Sequence, residues 1–442
     1  MPTLDPHRVL ERVRRHVERN ALRARNGIRL ATARPSVGCT PKDVVWRHGR
    51  TELWHYRNDD VRVTPPLLIV FSLISRSYIL DLSPGNSFIE RLLKAGFDVW
   101  LLDWGVPDER DAQNRIEDYV DEYLPAGITR LLELTGCDEV SLLGYCFGGD
   151  LALLHAAHHP GSPLRSLTVM ATPVDFRHLG PLADVFGAGG LDVADVLNAD
   201  GNVPPQVVLQ GFRTLKPTAQ ATRYVDLWER LWDDEYVAAY QAMTAWSDNH
   251  VPFPGAAAEE VVRMLVRGNG FITDRLTVGG DRVHLADVRC PFLTVLASRD
   301  HIVPAPAAAP LIELVGAPDK HELRLDAGHI GLVVGKTAAR TTVPTIIDFM
   351  RQRSEVRTLR DRDEPGRPRF FMSPGPARFA RRTAATRARG AGVPPRPVPV
   401  SRHLGTPDLR AAGPGQPWGG PPGMARRRCS ADPPARLAAA PC

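Results

Sequence analysis

Gly144-Tyr145-Cys146-Phe147-Gly148-Gly149, entered from the apolar run Val140-Ser141-Leu142-Leu143, decides the reading of this chain. It has the form of a nucleophile elbow with cysteine in place of serine. Such an elbow is a tight strand-to-helix turn, and glycines flank it because side chains beside the nucleophile would collide and block an acyl substrate. A helical segment over 150–158 follows directly. The N-terminus of that helix supplies partial positive charge and free backbone N–H groups, which favour a thiolate and can receive a developing oxyanion. Strand, elbow and helix in this order assign Cys146 as a nucleophile; the competing reading is a buried structural cysteine.

An α/β-hydrolase site needs two further groups downstream, an acid and then a histidine. The apolar run 291–297 ends in Ser298-Arg299-Asp300-His301-Ile302-Val303-Pro304, which puts a carboxylate at the tip of a buried strand. The alternating segment 321–326 runs into Ala327-Gly328-His329-Ile330-Gly331, a histidine in a glycine-framed loop. Parallel strands end on one edge of a sheet, so groups at their C-termini converge. Asp300 and His329 are therefore the expected acid and base. Asp300 as an ordinary turn aspartate and His301 as a rival base are the alternatives, although a residue beside the acid points elsewhere on its loop. Asp326 reads as a strand-end turn former, and His155 and His158 as structural or surface residues.

Outward from the elbow, strands are expected at 66–73, 97–103, 139–143 and 166–171, and helices at 87–95 and 111–135, the latter kinked or split by Pro125. Alternating strands and helices give a mostly parallel sheet with helices on both faces, the α/β-hydrolase fold, within a catalytic domain over 41–353. Residues 1–40 read as an N-terminal helical segment. Between about 177 and 276 the rhythm breaks into a helical cap insertion holding Tyr224, Trp228, Trp232, Tyr236, Tyr240 and Trp246, expected as cap core rather than substrate contacts. From 354 to 442 the chain turns to Pro, Arg, Gly and Ala, a composition that cannot bury enough apolar area to offset ordering entropy and predicts a disordered tail.

Residues 351–442 hold 19 basic and 6 acidic side chains, so with a net charge of +5 for the whole chain the preceding residues carry about −8. The basic pI belongs to the tail, and a nucleic-acid-binding catalytic domain is not indicated. Six cysteines without a CxxC pair disfavour a metal site and a disulfide framework. The first 20 residues form a charged amphipathic segment rather than a signal peptide, and no stretch is apolar enough to cross a bilayer, so a cytoplasmic protein with a reduced thiol is expected.

A cysteine elbow suits acyl transfer from a thioester, because an acyl-cysteine conserves the activated bond. The sequence resembles the catalytic subunit of polyhydroxyalkanoate synthases, particularly the short class III type that works with a second subunit. The likeness runs from about 40 to 353 and includes Asp103-Trp104-Gly105, the Gly-x-Cys-x-Gly-Gly elbow, Thr172-Pro173-Val174-Asp175-Phe176, Leu215-Lys216-Pro217, Asn269-Gly270-Phe271, Asp300-His301-Ile302-Val303-Pro304 and Gly328-His329-Ile330. The resemblance implies polymerisation of (R)-3-hydroxyacyl-coenzyme A into polyester with release of coenzyme A. It also implies no cofactor beyond the thioester substrate, a homodimer, a possible second subunit and contact with a polyester granule surface.

On this resemblance Cys146 attacks the thioester with help from His329, and Asp300 orients His329 or activates the 3-hydroxyl. The backbone N–H of Phe147 would form half of the oxyanion hole and Ile74 or Ser75 the other half. Ser75-Arg76-Ser77 departs from the family, where Asn-Arg-Pro or Asn-Lys-x is usual. A cysteine hydrolase on the same fold, a thioesterase or polyester depolymerase, is the alternative function, and a non-catalytic relic a third.

Overall fold

The computed structural model describes residues 6–215 and 219–356. Its sheet has nine strands, eight of them in one continuous path. We number them β1 (Lys42–His48), β2 (Thr51–Tyr56), β3 (Val63–Val70), β4 (Phe97–Asp103), β5 (Val140–Tyr145), β6 (Leu164–Met170), β7 (Phe292–Ala297), β8 (Lys320–Leu325) and β9 (Glu355–Val356). The spatial order is β1-β2-β4-β3-β5-β6-β7-β8. From β4 to β8 all pairs are parallel; β1 and β2 form an antiparallel edge. The fold is thus the α/β-hydrolase fold that the strand and helix rhythm predicts.

Alternation along each strand divides the core into two layers. Leu68, Val70, Leu142 and Val169 face one cluster, whereas Leu67, Ile69, Leu143 and Met170 face the other. Helices α3 (Leu124–Thr135) and α4 (Phe147–His158) cover the first face, while α2 (Phe88–Lys94) and the C-terminal helix Val343–Arg351 cover the second. In α4 every residue from Phe147 to Ala157 is buried, as a helix enclosed on all sides requires.

Several boundaries move for physical reasons. Strand β3 ends at Val70 rather than 73; Phe71 and Leu73 are apolar because they are buried in the loop beneath the elbow, not because the strand continues. Helix α4 begins at Phe147, so Gly148 and Gly149 form its first turn rather than a loop before it. The segment 111–135, expected as a helix kinked or split by Pro125, has widened turns at Asp118–Tyr123 before α3, with Pro125, which cannot donate a backbone bond, in the first turn of α3. Glu355–Val356 pairs with β3, which carries regular structure just past the expected start of the tail; residues 357–442 lie outside the described residues.

The chain between β6 and β7 carries helices Pro205–Thr214, Ala219–Arg230 and Asp234–Ser247. Of its aromatics, Trp246 is buried, but Tyr224 and Trp228 are two-thirds exposed, contrary to a core role for all six. Trp228 instead meets the guanidinium of Arg23 on the N-terminal helix α1 (Pro6–Thr32), and Trp232 that of Arg19. Two of the quoted motifs clasp the ends of this segment together. The Asn269 amide accepts from Phe176 N–H at 2.9 Å and donates to Asp175 at 3.0 Å, and the Phe176 and Phe271 rings stack 6.5 Å apart. Lys216 and Pro217 lie outside the described residues.

Candidate active site

Cys146 sits at φ 55°, ψ −130°, a conformation that L-residues rarely adopt and that a strand-to-helix elbow imposes. The turn is tight. A Cβ on Gly144 would lie 2.5 Å from the Gly149 Cα, and one on Gly148 would overlap the backbone of Val70 and Phe71. The sulfur, half-buried, faces a cavity of about 740 Å³. Burial pushes the Cys290 thiol up to about 11, the condition of an inert core cysteine.

His329 follows β8 and Asp300 follows β7, each buried, at the same edge of the sheet as Cys146. His329 Nδ1 and Asp300 Oδ2 are 2.8 Å apart. The other carboxylate oxygen accepts the backbone N–H groups of Ile302 and Val303, both at 2.8 Å, so Asp300 is fixed at three points. The imidazole and the Cys146 sulfur line the same cavity. Burial alone would push His329 down, but the Asp300 carboxylate and the Cys146 sulfur outweigh it and hold the imidazole up at about 10. The three residues singled out from the sequence thus meet in one place. The arrangement sets a thiol and an imidazole at one cavity, with a carboxylate fixing the imidazole, a set of groups able to support nucleophilic catalysis.

The remaining candidates distribute as follows. Ile74 and Ser75 line the same cavity as Cys146, and Phe147 occupies the first helical position of α4, where a backbone N–H has no acceptor within the helix. Within the departing loop, Ser77 Oγ donates to Asp103 at 2.6 Å and the Arg76 carbonyl accepts from the Trp246 indole at 2.8 Å. His301 is exposed and lines the cavity, but the Asp300 carboxylate bonds His329 instead. Asp326 pairs with Arg299 at the surface, 2.6 Å away. His155 is buried between the Val120 carbonyl and Ser162, and burial pushes it down to about 4.

Sequence reasoning missed several contributors. Tyr145, fully buried, donates its hydroxyl to the His329 carbonyl at 3.2 Å. His250 stacks on Phe212 at 5.2 Å and reaches the Ile74 carbonyl at 3.3 Å, and both rings line the cavity with Trp246, which the aromatic reading had kept from substrate. A four-residue spacing between Trp246 and His250 was the available signal.

Residues 65–336 match the family model of the alpha/beta hydrolase fold, and residues 29–92 match that of the poly-beta-hydroxybutyrate polymerase (PhaC) N-terminus. The chain is 33% identical over 320 residues to the poly(3-hydroxyalkanoate) polymerase subunit PhaC of Allochromatium vinosum, covering 72% of this chain and 90% of that one. It belongs to the PhaC polymerase family. The PhaC subunits of Thiocystis violacea and of a Synechocystis species are 32% and 30% identical, again across 72% of this chain, and the alignments cover 90% and 86% of those proteins. Among solved structures, an esterase from Thermogutta terrifontis aligns at 17% identity with a TM-score of 0.43, covering 71% of this chain and 99% of that one.

Proposed function

We propose that this PhaC-family chain polymerises (R)-3-hydroxyacyl-coenzyme A into polyester through a covalent acyl-cysteine. The observation that carries the reading is the His329 imidazole, held by Asp300 at 2.8 Å, lining the same cavity as the Cys146 sulfur. In the first half-reaction the Cys146 thiol gives its proton to His329 and the sulfur attacks the thioester carbonyl, the Phe147 N–H and a donor at Ile74 or Ser75 receive the oxyanion, and coenzyme A leaves as its thiol with that proton. In the second, the 3-hydroxyl of another acyl unit gives its proton to His329 and attacks the acyl-cysteine, the C–S bond breaks, and Cys146 leaves as the thiol with that proton. Asp300 orients the imidazole and, alternatively, assists that hydroxyl. General-base help of this kind is worth about 10²- to 10⁴-fold in rate.

The thioester-to-thioester first step conserves activation for ester formation, and no resident cofactor or metal enters it. Arg213 and Arg299 at the cavity suit the phosphates of coenzyme A. Among the described residues no helix is long and apolar enough to cross a membrane. Action in the cytoplasm at a polyester granule surface, a homodimer and a second subunit of the class III kind belong to the same proposal and rest on the resemblance.

Purified chain, with and without a candidate partner subunit, is given 3-hydroxybutyryl-coenzyme A, and coenzyme A release and polymer are both measured. Release with polymer, abolished in Cys146→Ala, supports the proposal. Free hydroxy acid without polymer replaces it with a thioesterase or depolymerase, and no release under either condition leaves a non-catalytic relic.

A further inference from the structure

Helix α4 carries Cys146 at its start, and its far end gathers a second set of reactive side chains. His158 is its last residue and His159 its cap, where φ −118°, ψ 71° takes the chain out of the helix before Pro160. Neighbouring side chains on a helix diverge by about 100°. This exit from helical geometry lets the two rings converge instead. Their centroids are 4.9 Å apart, and both Nε2 atoms face the same carboxylate oxygen, Asp121 Oδ1, at 3.5 Å from His158 and 2.8 Å from His159.

We propose that His158, His159 and Asp121 form a binding site for a divalent transition-metal ion of the zinc, cobalt or nickel kind. One ligand atom from each residue lies within 4.8 Å of the others. Nitrogen and oxygen ligands at about 2.0–2.2 Å from a tetrahedral ion lie about 3.3–3.5 Å from one another. The His158 separation falls at that figure, too long for a good hydrogen bond, and the His159 separation is shorter than it. Two imidazoles and a carboxylate suit borderline ions rather than magnesium or calcium.

The surroundings are built rather than incidental. His155, with both nitrogens engaged by Val120 and Ser162, packs its ring 4.9 Å from His159 and props it without competing for the ion. The Gly279 backbone closes on the second Asp121 oxygen, where a Cβ would lie 3.3 Å away. A cation at a helix C-terminus also meets the negative end of the helix dipole. The three ligands remain partly exposed, which leaves room for a water as fourth ligand and a path for loading. A 12-residue helix is about 18 Å long, so this ion would not touch the reacting sulfur. It would join the end of α4 to the widened turn before α3, a stabilising role independent of the synthase reading.

The test uses the full chain with Cys146→Ser, stripped by chelator and titrated with cobalt(II). One equivalent is expected, with visible ligand-field bands and no thiolate charge-transfer band, and zinc should raise Tm by several degrees. His158→Ala/His159→Ala and, separately, Asp121→Asn should each abolish both effects while keeping the metal-free circular dichroism spectrum. Full stoichiometry and an unchanged cobalt spectrum in these variants, a thiolate band in the parent, or no uptake from micromolar zinc would each overturn the site. None of these readouts depends on turnover.

Discussion

The hydroxyl of Tyr145 donates to the main-chain carbonyl of His329 across 3.2 Å, with the two rings 5.1 Å apart. The residue before Cys146 therefore holds the backbone of His329, and the elbow and the β8 loop keep a fixed spacing. Tyr145→Phe retains the packing and removes one of the two hydrogen bonds to that carbonyl, the other coming from the Leu332 N–H at 3.3 Å. A loss of about 0.5–1.5 kcal/mol in urea unfolding is expected. Coenzyme A release should fall several-fold in kcat with little change in KM, because the loosened group is the imidazole and not the substrate wall. Unchanged kcat would show that the spacing is set elsewhere.

Asp300→Asn removes the charge that holds His329 high. Its ordinary value is 6.5, and in the folded chain it stands at about 10. A raised value contributes stability that is complete below about 6.5 and fades as pH climbs through 10. The parent should therefore lose stability between those limits, and Asp300→Asn should lose less across the same window. Activity should drop by about 10⁴-fold if Asp300 sets the imidazole's tautomer, by analogy with serine triads. Histidine NMR and unfolding at several pH values read the two effects separately.

Much of this was legible because the informative segments are buried on both faces. The runs around 140–145 and 292–297 are almost uniformly apolar, and each ends on a residue of the site. What the sequence hid depends on distant partners. Asn269 and Asp175 clasp the insertion across 94 residues, and nothing local signals it. Tyr224 and Trp228 read as core from their aromaticity alone, yet both are exposed, and Trp228 finds its contact on α1. The convergence of His158 and His159 depends on the backbone angles of the helix cap, which residue types do not specify.

Asp150 is the buried carboxyl that the proposed chemistry leaves unused. It lies inside α4 with neither carboxylate oxygen hydrogen-bonded, and burial, reinforced by the nearby Cys146 sulfur, pushes it well above 3.8. The folded state therefore keeps its proton where the unfolded chain releases one. Stability from this group is present below about pH 3.8 and is lost as pH rises through the folded value. Asp150→Ala should flatten the decline in unfolding free energy as pH rises above about 3.8. A variant with the parent's slope would mean that the carboxyl gains a partner in solution.

Gly148→Ala tests the elbow itself. The added methyl would overlap the Val70 carbonyl and come within 2.6 Å of Phe71 C and O. Backbone cannot swing aside as a side-chain tip can, and the Phe71 carbonyl already accepts the Trp104 indole at 2.7 Å. Relief must come from α4 lifting off the sheet or from displacement of the loop that carries Ile74 and Ser75. Either movement separates Cys146 from the donors proposed for the oxyanion. Overpacking of this kind costs about 1–3 kcal/mol, and each 1.36 kcal/mol of lost transition-state stabilisation is about tenfold in rate. Activity should therefore fall by more than the stability loss explains. Gly161→Ala, with open space around the added methyl, is the control and should leave both Tm and coenzyme A release unchanged. Equal behaviour of the two variants would mean that the elbow tolerates a wider turn than its backbone contacts allow.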